Sequence, residues 1–157
     1  MNIIFRKQNN KYGQLECIRD DQSRTQTKMP EQGIAPHDLI HFVIEKTLDI
    51  KGAFYGQLKA GADISFKLDH NQASLEIANR VDVWQTEAMV ESLQSMLWSK
   101  ELNFDSFNYL TEQACILRKI PKLKVTTDEF NGIKALLTCL NNRWLKLNKN
   151  ETITVKF

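Results

Sequence analysis

Two histidines four residues apart begin the segment of this chain that is richest in side chains able to bind a metal or act as an acid or base. His37 and His41 are followed by Glu45 at the same spacing, so on an α-helix all three side chains would lie along one side. Two histidines at this spacing can ligate one Zn²⁺ ion. The pattern His-Asp-x-x-His differs from the His-Glu-x-x-His metalloprotease motif in one carboxylate. Asp38 would then be the general base that activates a metal-bound water.

The sequence leaves the third ligand of such a site open. Glu45 and His70 are the two candidates, and neither has a spacing that is diagnostic of a metalloprotein. A structural interpretation needs no metal. A histidine in a first helical turn commonly borders the core, and the helix dipole by itself favours a carboxylate such as Asp38 in that turn. We therefore predict no cofactor, with zinc held by His37 and His41 as the alternative. In either case the candidate binding residues are His37, Asp38, His41, Glu45 and Tyr55.

Motifs for other kinds of chemistry are missing from the sequence. It has no Gly-rich phosphate loop, no Gly-x-Ser-x-Gly elbow and no deaminase-type zinc motif. A basic run between Arg118 and Lys124 could contact phosphate, but the net charge is only +2, and the run is typical of a solvated loop. Nucleic acid is therefore an unlikely partner on this reading of the sequence.

The cysteines and the hydropathy pattern point to a reducing compartment. The three cysteines lie far apart in the sequence and suggest neither a disulfide framework nor a zinc knuckle. Cys115 and Cys139 fall in apolar-patterned stretches and should behave as small hydrophobic residues. The first residues lack a signal-peptide pattern, and no apolar run approaches the ~18 residues that span a bilayer. We predict a cytoplasmic protein without a membrane segment.

Strand-like patterns occur at both ends of the chain. Short alternating or apolar runs at residues 3–5, 14–17 and 24–29 are separated by polar turns, which favours an antiparallel meander. The third run is the most polar and is the predicted edge strand. Residues 151–157 alternate strictly, and this apolar face should return to the N-terminal sheet. The side chains on that face are Ile153, Val155 and Phe157.

The middle of the chain has helical periodicity. Helices are predicted from Pro36 to Leu48, over residues 52–61, from about Val81, and from Asp105 to Pro121. The short helix carries a stripe of small residues, Gly52, Gly56 and Ala60, that would let another backbone come close. On the fourth helix the predicted buried face is Phe107, Leu110, Ala114 and Leu117. The tryptophans Trp84, Trp98 and Trp144 are predicted to lie in the core.

A last helix follows the capping-box pair Thr126 and Glu129, which satisfies two backbone N–H groups at a helix start. Its apolar seam suits either the core or a second copy of the chain. The seam contains Phe130, Ile133, Leu137, Leu140, Trp144 and Leu147. Together these elements predict an α+β fold, with four or five helices packed against a small antiparallel sheet. Residues 1–157 should form one domain, and residues 63–80 give no clear pattern.

One segment also carries a resemblance. Residues 36–45 read PHDLIHFVIE, residues 52–56 read GAFYG, and residues 61–64 read GADI. This arrangement resembles a family of small uncharacterised bacterial proteins, and the resemblance implies a common module without an activity, cofactor or partner. The leading hypothesis is a non-enzymatic binding or interaction protein that could self-associate. The alternatives are a metal-dependent hydrolase centred on His37, Asp38 and His41, and a nucleic-acid accessory protein.

Overall fold

The computed structural model describes residues 1–8, 11–64 and 80–157, and within these ranges it has four strands and five helices. The strands are β1 (Asn2–Lys7), β2 (Tyr12–Ile18), β3 (Arg24–Pro30) and β4 (Thr152–Lys156). The helices are α1 (His37–Thr47), α2 (Phe54–Lys59), α3 (Val81–Ser99), α4 (Phe104–Leu117) and α5 (Thr127–Lys146). The predicted α+β class is confirmed.

The four strands form one antiparallel sheet in the order β3-β2-β1-β4. The chain's last strand pairs with its first, and Phe5 lies opposite Ile153. Both of these side chains are fully buried, because alternation along each strand places them on the face that the helices cover. The return of β4 to the N-terminal meander and the position of β3 at an edge are therefore as predicted.

Helix α1 lies at the centre of the helical layer and contacts α2, α3 and α5. Its aliphatic residues from Leu39 to Ile44 are buried, and so are His41 and Glu45. A helix that is surrounded in this way must pair its polar side chains internally, since buried polar groups without partners are costly. The seam of α5 from Phe130 to Trp144 is also buried within the chain, after the predicted capping box at Thr126.

Two helices begin at other residues than the sequence predicts. Helix α2 begins at Phe54, so Gly52 lies outside it, although Gly61 does end it with a left-handed φ of 110°. Helix α4 begins earlier than predicted, because Asn103 and not Asp105 is its N-cap. The Asn103 side-chain oxygen accepts a 2.8 Å hydrogen bond from the backbone N–H of Ser106, which satisfies a donor that the helix itself leaves unpaired.

Several apolar side chains that were predicted to be buried are exposed. The buried face of α4 contains Phe107, Thr111 and Cys115, which are four residues apart. Leu117 lies about 200° around the helix from Cys115 and points to solvent. Cys139 is exposed in the same way. The core prediction is also wrong for two of the three tryptophans, since Trp84 and Trp98 are exposed and Trp144 is buried.

Most of the stretch without a clear pattern, residues 65–79, lies outside the described residues, and so does the candidate ligand His70. Among the helices that are described, none is long and apolar enough to cross a membrane.

Candidate metal centre

Helix α1 brings His37 and His41 together as their spacing predicts. Their Nε2 atoms lie 3.2 Å apart, and the two rings meet edge to face with centroids 4.8 Å apart. One turn separates the two residues, so regular helix geometry alone stacks them. The Phe54 ring at the start of α2 lies 5.5 Å from the His41 ring, centroid to centroid.

The third member of the cluster is Glu87 on α3, which sequence analysis missed. Its Oε1 atom lies 3.1 Å from Nε2 of His41, and its Oε2 atom lies 3.4 Å from Nε2 of His37. One donor atom from each of the three residues falls within 4.8 Å of the others. A sequence signal existed, because Glu87 lies one helical turn before the buried Val90 and so borders the apolar face of α3.

This arrangement requires a proton or a cation at its centre. Two imidazole nitrogens 3.2 Å apart, next to a carboxylate, would repel one another if both presented lone pairs, so a proton or a cation must lie among them. Burial by itself lowers the pKa of His41, but the neighbouring carboxylates of Glu45 and Glu87 outweigh burial and raise it to about 9. Burial alone would raise the pKa of Glu87, but hydrogen bonds and charge from the two histidines hold it well below its usual range.

Glu45 supports His41 from the opposite side of the ring. Its Oε1 atom lies 3.4 Å from Nδ1 of His41, which is an ion-pair distance without good hydrogen-bond geometry. Its Oε2 atom accepts hydrogen bonds from the backbone N–H groups of Tyr55 at 2.9 Å and Gly56 at 3.2 Å. Burial raises the pKa of Glu45, and His41 and these two N–H groups oppose that rise. A carboxylate facing Nδ1 favours a proton there, which leaves Nε2 free to bind an ion.

His37 has a support of its own on α3. Its Nδ1 atom lies 3.4 Å from the side-chain oxygen of Gln94, and the Gln94 amide in turn donates a hydrogen bond to the side-chain oxygen of Gln32. Both histidines therefore direct Nδ1 towards an oxygen atom and Nε2 towards Glu87.

The other predicted site residues lie beside this cluster without joining it. In the described part of the chain, the Asp38 carboxylate has neither a hydrogen bond nor an ion pair with His37 or His41. Burial raises its pKa, against the effect of both histidines. Tyr55 is fully buried, and its hydroxyl donates a 2.8 Å hydrogen bond to the Asp38 carbonyl. A role for Asp38 as a general base stays a prediction.

Compared with family models, curated proteins and solved structures, the chain has no match in any of the three. The resemblance of residues 36–64 to small bacterial proteins stays a prediction, and the functional argument depends on the geometry of the site.

Proposed function

We propose that this protein binds a divalent transition-metal ion, and that zinc fits the site best. The ligands would be Nε2 of His37, Nε2 of His41 and one carboxylate oxygen of Glu87. The observation that carries the proposal is the short distances around Nε2 of His41, which lies 3.2 Å from Nε2 of His37 and 3.1 Å from Oε1 of Glu87. The other Glu87 oxygen, Oε2, lies 3.4 Å from Nε2 of His37, and one donor atom from each residue falls within 4.8 Å of the others. Tetrahedral ligands about 2.0–2.1 Å from a zinc ion are about 3.3–3.4 Å apart.

The supports behind the histidines agree with this proposal. Histidine ligands usually donate their second ring N–H to a carboxylate, a carbonyl or a water, which fixes the tautomer and orients the ring. Here Glu45 faces Nδ1 of His41, and Gln94 faces Nδ1 of His37. The donor set itself, two imidazoles and one carboxylate, is of the type that zinc accepts.

A proton shared within the cluster would satisfy the same contacts, and metal content separates the two interpretations. We expect the full chain, loaded with zinc and dialysed, to retain one zinc ion when analysed by plasma mass spectrometry. The His37→Ala, His41→Ala and Glu87→Gln variants should lose that ion, because each removes one of the three proposed ligands. Circular dichroism and thermal melts of the metal-free proteins would confirm that the variants fold.

Glu91→Gln is the matched control for Glu87→Gln. Glu91 lies one turn further along α3 and pairs at the surface with Arg118 at 2.6 Å, so its loss should leave zinc content unchanged. Wild-type protein that retains no zinc would refute the proposal and favour the shared proton. Retention of zinc by a folded Glu87→Gln variant would exclude Glu87 as a ligand.

This proposal agrees with the leading hypothesis of a binding protein and names a metal ion as the bound species. It does not require catalysis. The hydrolase hypothesis needs a base close to the bound ion, and no described contact links Asp38 to the cluster. The basic residues of the predicted nucleic-acid surface are partly engaged within the chain, since Arg118 pairs with Glu91 and Lys122 lies 3.8 Å from Glu112.

A further inference from the structure

We infer that the metal ion keeps one coordination position open to solvent, where it binds an exchangeable water that small anions can replace. This inference rests on the proposed metal site and adds a ligand to it. It separates a site that binds an external molecule from one that only stabilises the fold, because structural zinc sites are usually closed by four protein ligands.

The cluster has one side in water and one side in the protein. The side chains of His37 and Glu87 are 36% and 28% exposed, whereas that of His41 is 5% exposed and that of Glu45 is completely buried. The three donor atoms form a triangle of which the His41 corner is embedded between α1, α2 and α3. An ion held by this triangle can therefore be approached from the side of His37 and Glu87.

The described residues supply three ligands to a tetrahedral ion and no fourth. The only group of at least three histidine, cysteine or acidic side chains found close enough together in ranges 1–8, 11–64 and 80–157 consists of His37, His41 and Glu87. The nearby Gln94 directs its side-chain oxygen at Nδ1 of His37 and its amide at Gln32, so both ends of this amide are already engaged. Among the described residues, the fourth position is thus left to a solvent molecule.

The charge of the coordination sphere indicates which ligands would replace this water. Two neutral imidazoles and one carboxylate leave a divalent ion with one positive charge. Glu45 does not reduce this charge by coordination, because it faces the far nitrogen of His41. A small anion with an oxygen or nitrogen donor neutralises the remaining charge and fits a single open position. The bound ion would also lower the pKa of a coordinated water, as metal ions do in open sites.

Cobalt substitution tests this inference, with azide as the probe. The full-length protein is loaded with Co²⁺, freed of excess metal by gel filtration, and titrated with azide while its visible spectrum is recorded. We expect the d–d bands to shift in a saturable way and to return after dialysis, with cobalt content unchanged throughout. The Glu91→Gln protein should behave in the same way, and Co²⁺ in buffer gives the spectrum of the free ion with azide.

The outcomes separate this inference from the proposed function. If the wild-type protein binds Co²⁺ and azide leaves its bands unchanged, the site is closed and the inference is overturned, while metal binding stands. If the wild-type protein fails to bind Co²⁺, or if a folded His41→Ala variant binds it equally well, the proposed function fails and the inference fails with it.

Discussion

Glu45 connects the proposed metal centre to the rest of the fold. Its two carboxylate oxygens perform separate tasks: one faces Nδ1 of His41, and the other accepts the backbone N–H groups of Tyr55 and Gly56. A charged side chain that is completely buried needs such partners, since an isolated buried charge is very costly. The same residue therefore holds α2 against α1 and sets the tautomer of a proposed ligand.

The Glu45→Gln variant tests this role at the scale of one residue. Its amide oxygen can still accept the two backbone N–H groups, which leaves the NH₂ group facing Nδ1 of His41. Nδ1 must then act as an acceptor, and the ring proton moves to Nε2, where it blocks the metal. We expect zinc affinity to fall about 10–100-fold, as measured by competition with a chelating dye.

The control for this prediction is again Glu91→Gln, an equivalent change at an exposed position. Equal zinc affinities for the wild-type and the folded Glu45→Gln proteins would show that Glu45 has only a structural role.

At the scale of elements, the junction between α1 and α2 depends on close approach at Gly56. A Cβ atom at this position would lie 2.0 Å from the carbonyl oxygen of Lys51, and the Gly56 backbone could not move away without displacing the N–H groups that Glu45 binds. The predicted close contact is therefore made at Gly56. It involves the segment just before α2 and not a second helix.

We predict that Gly56→Ala destabilises the protein by about 2 kcal/mol or more, because the new methyl group overlaps backbone atoms. Gly132→Ala is the matched control in α5, where a Cβ atom would meet only Thr47 Cγ2 at 3.4 Å. That change should be neutral or stabilise by up to about 1 kcal/mol through helix propensity. Urea unfolding measures both variants, and a Gly56→Ala protein as stable as the wild type would contradict the close contact.

At the scale of the whole molecule, β4 connects the end of the chain to its beginning. The strand pairs with β1 along its length, and Ile153 is fully buried beneath the helical layer. The sheet is thus completed by the residues that follow α5 in the chain. Stability of the N-terminal meander should depend on side chains near residue 153.

Ile153→Ala should reduce the free energy of unfolding by about 2–5 kcal/mol, the range for large-to-small changes in a core. The neighbouring Thr154 is exposed on the opposite face, so Thr154→Ala should cost about 1 kcal/mol at most. Chemical unfolding followed by circular dichroism measures the difference. Similar losses for the two variants would contradict the packing of β4 on the core.

Periodicity in the sequence determined the local part of this structure. Strict alternation predicted β4, the capping box predicted the start of α5, and the spacing of His37 and His41 predicted their contact. Each of these features depends on residues within one helical turn or one strand, where backbone geometry fixes which side chains are neighbours. The same reasoning correctly placed Glu45 beside His41 on α1.

The tertiary structure alone decided which side chains from other elements complete the site. Glu87 comes from a helix that begins 44 residues after His37, at Val81, and its contact with both histidines depends on how α3 crosses α1. The burial of Trp144 and the exposure of Trp84 and Trp98 were decided in the same way. A helical pattern gives the direction of each side chain around the axis of its helix. Which residues of other helices it contacts depends on how the helices pack.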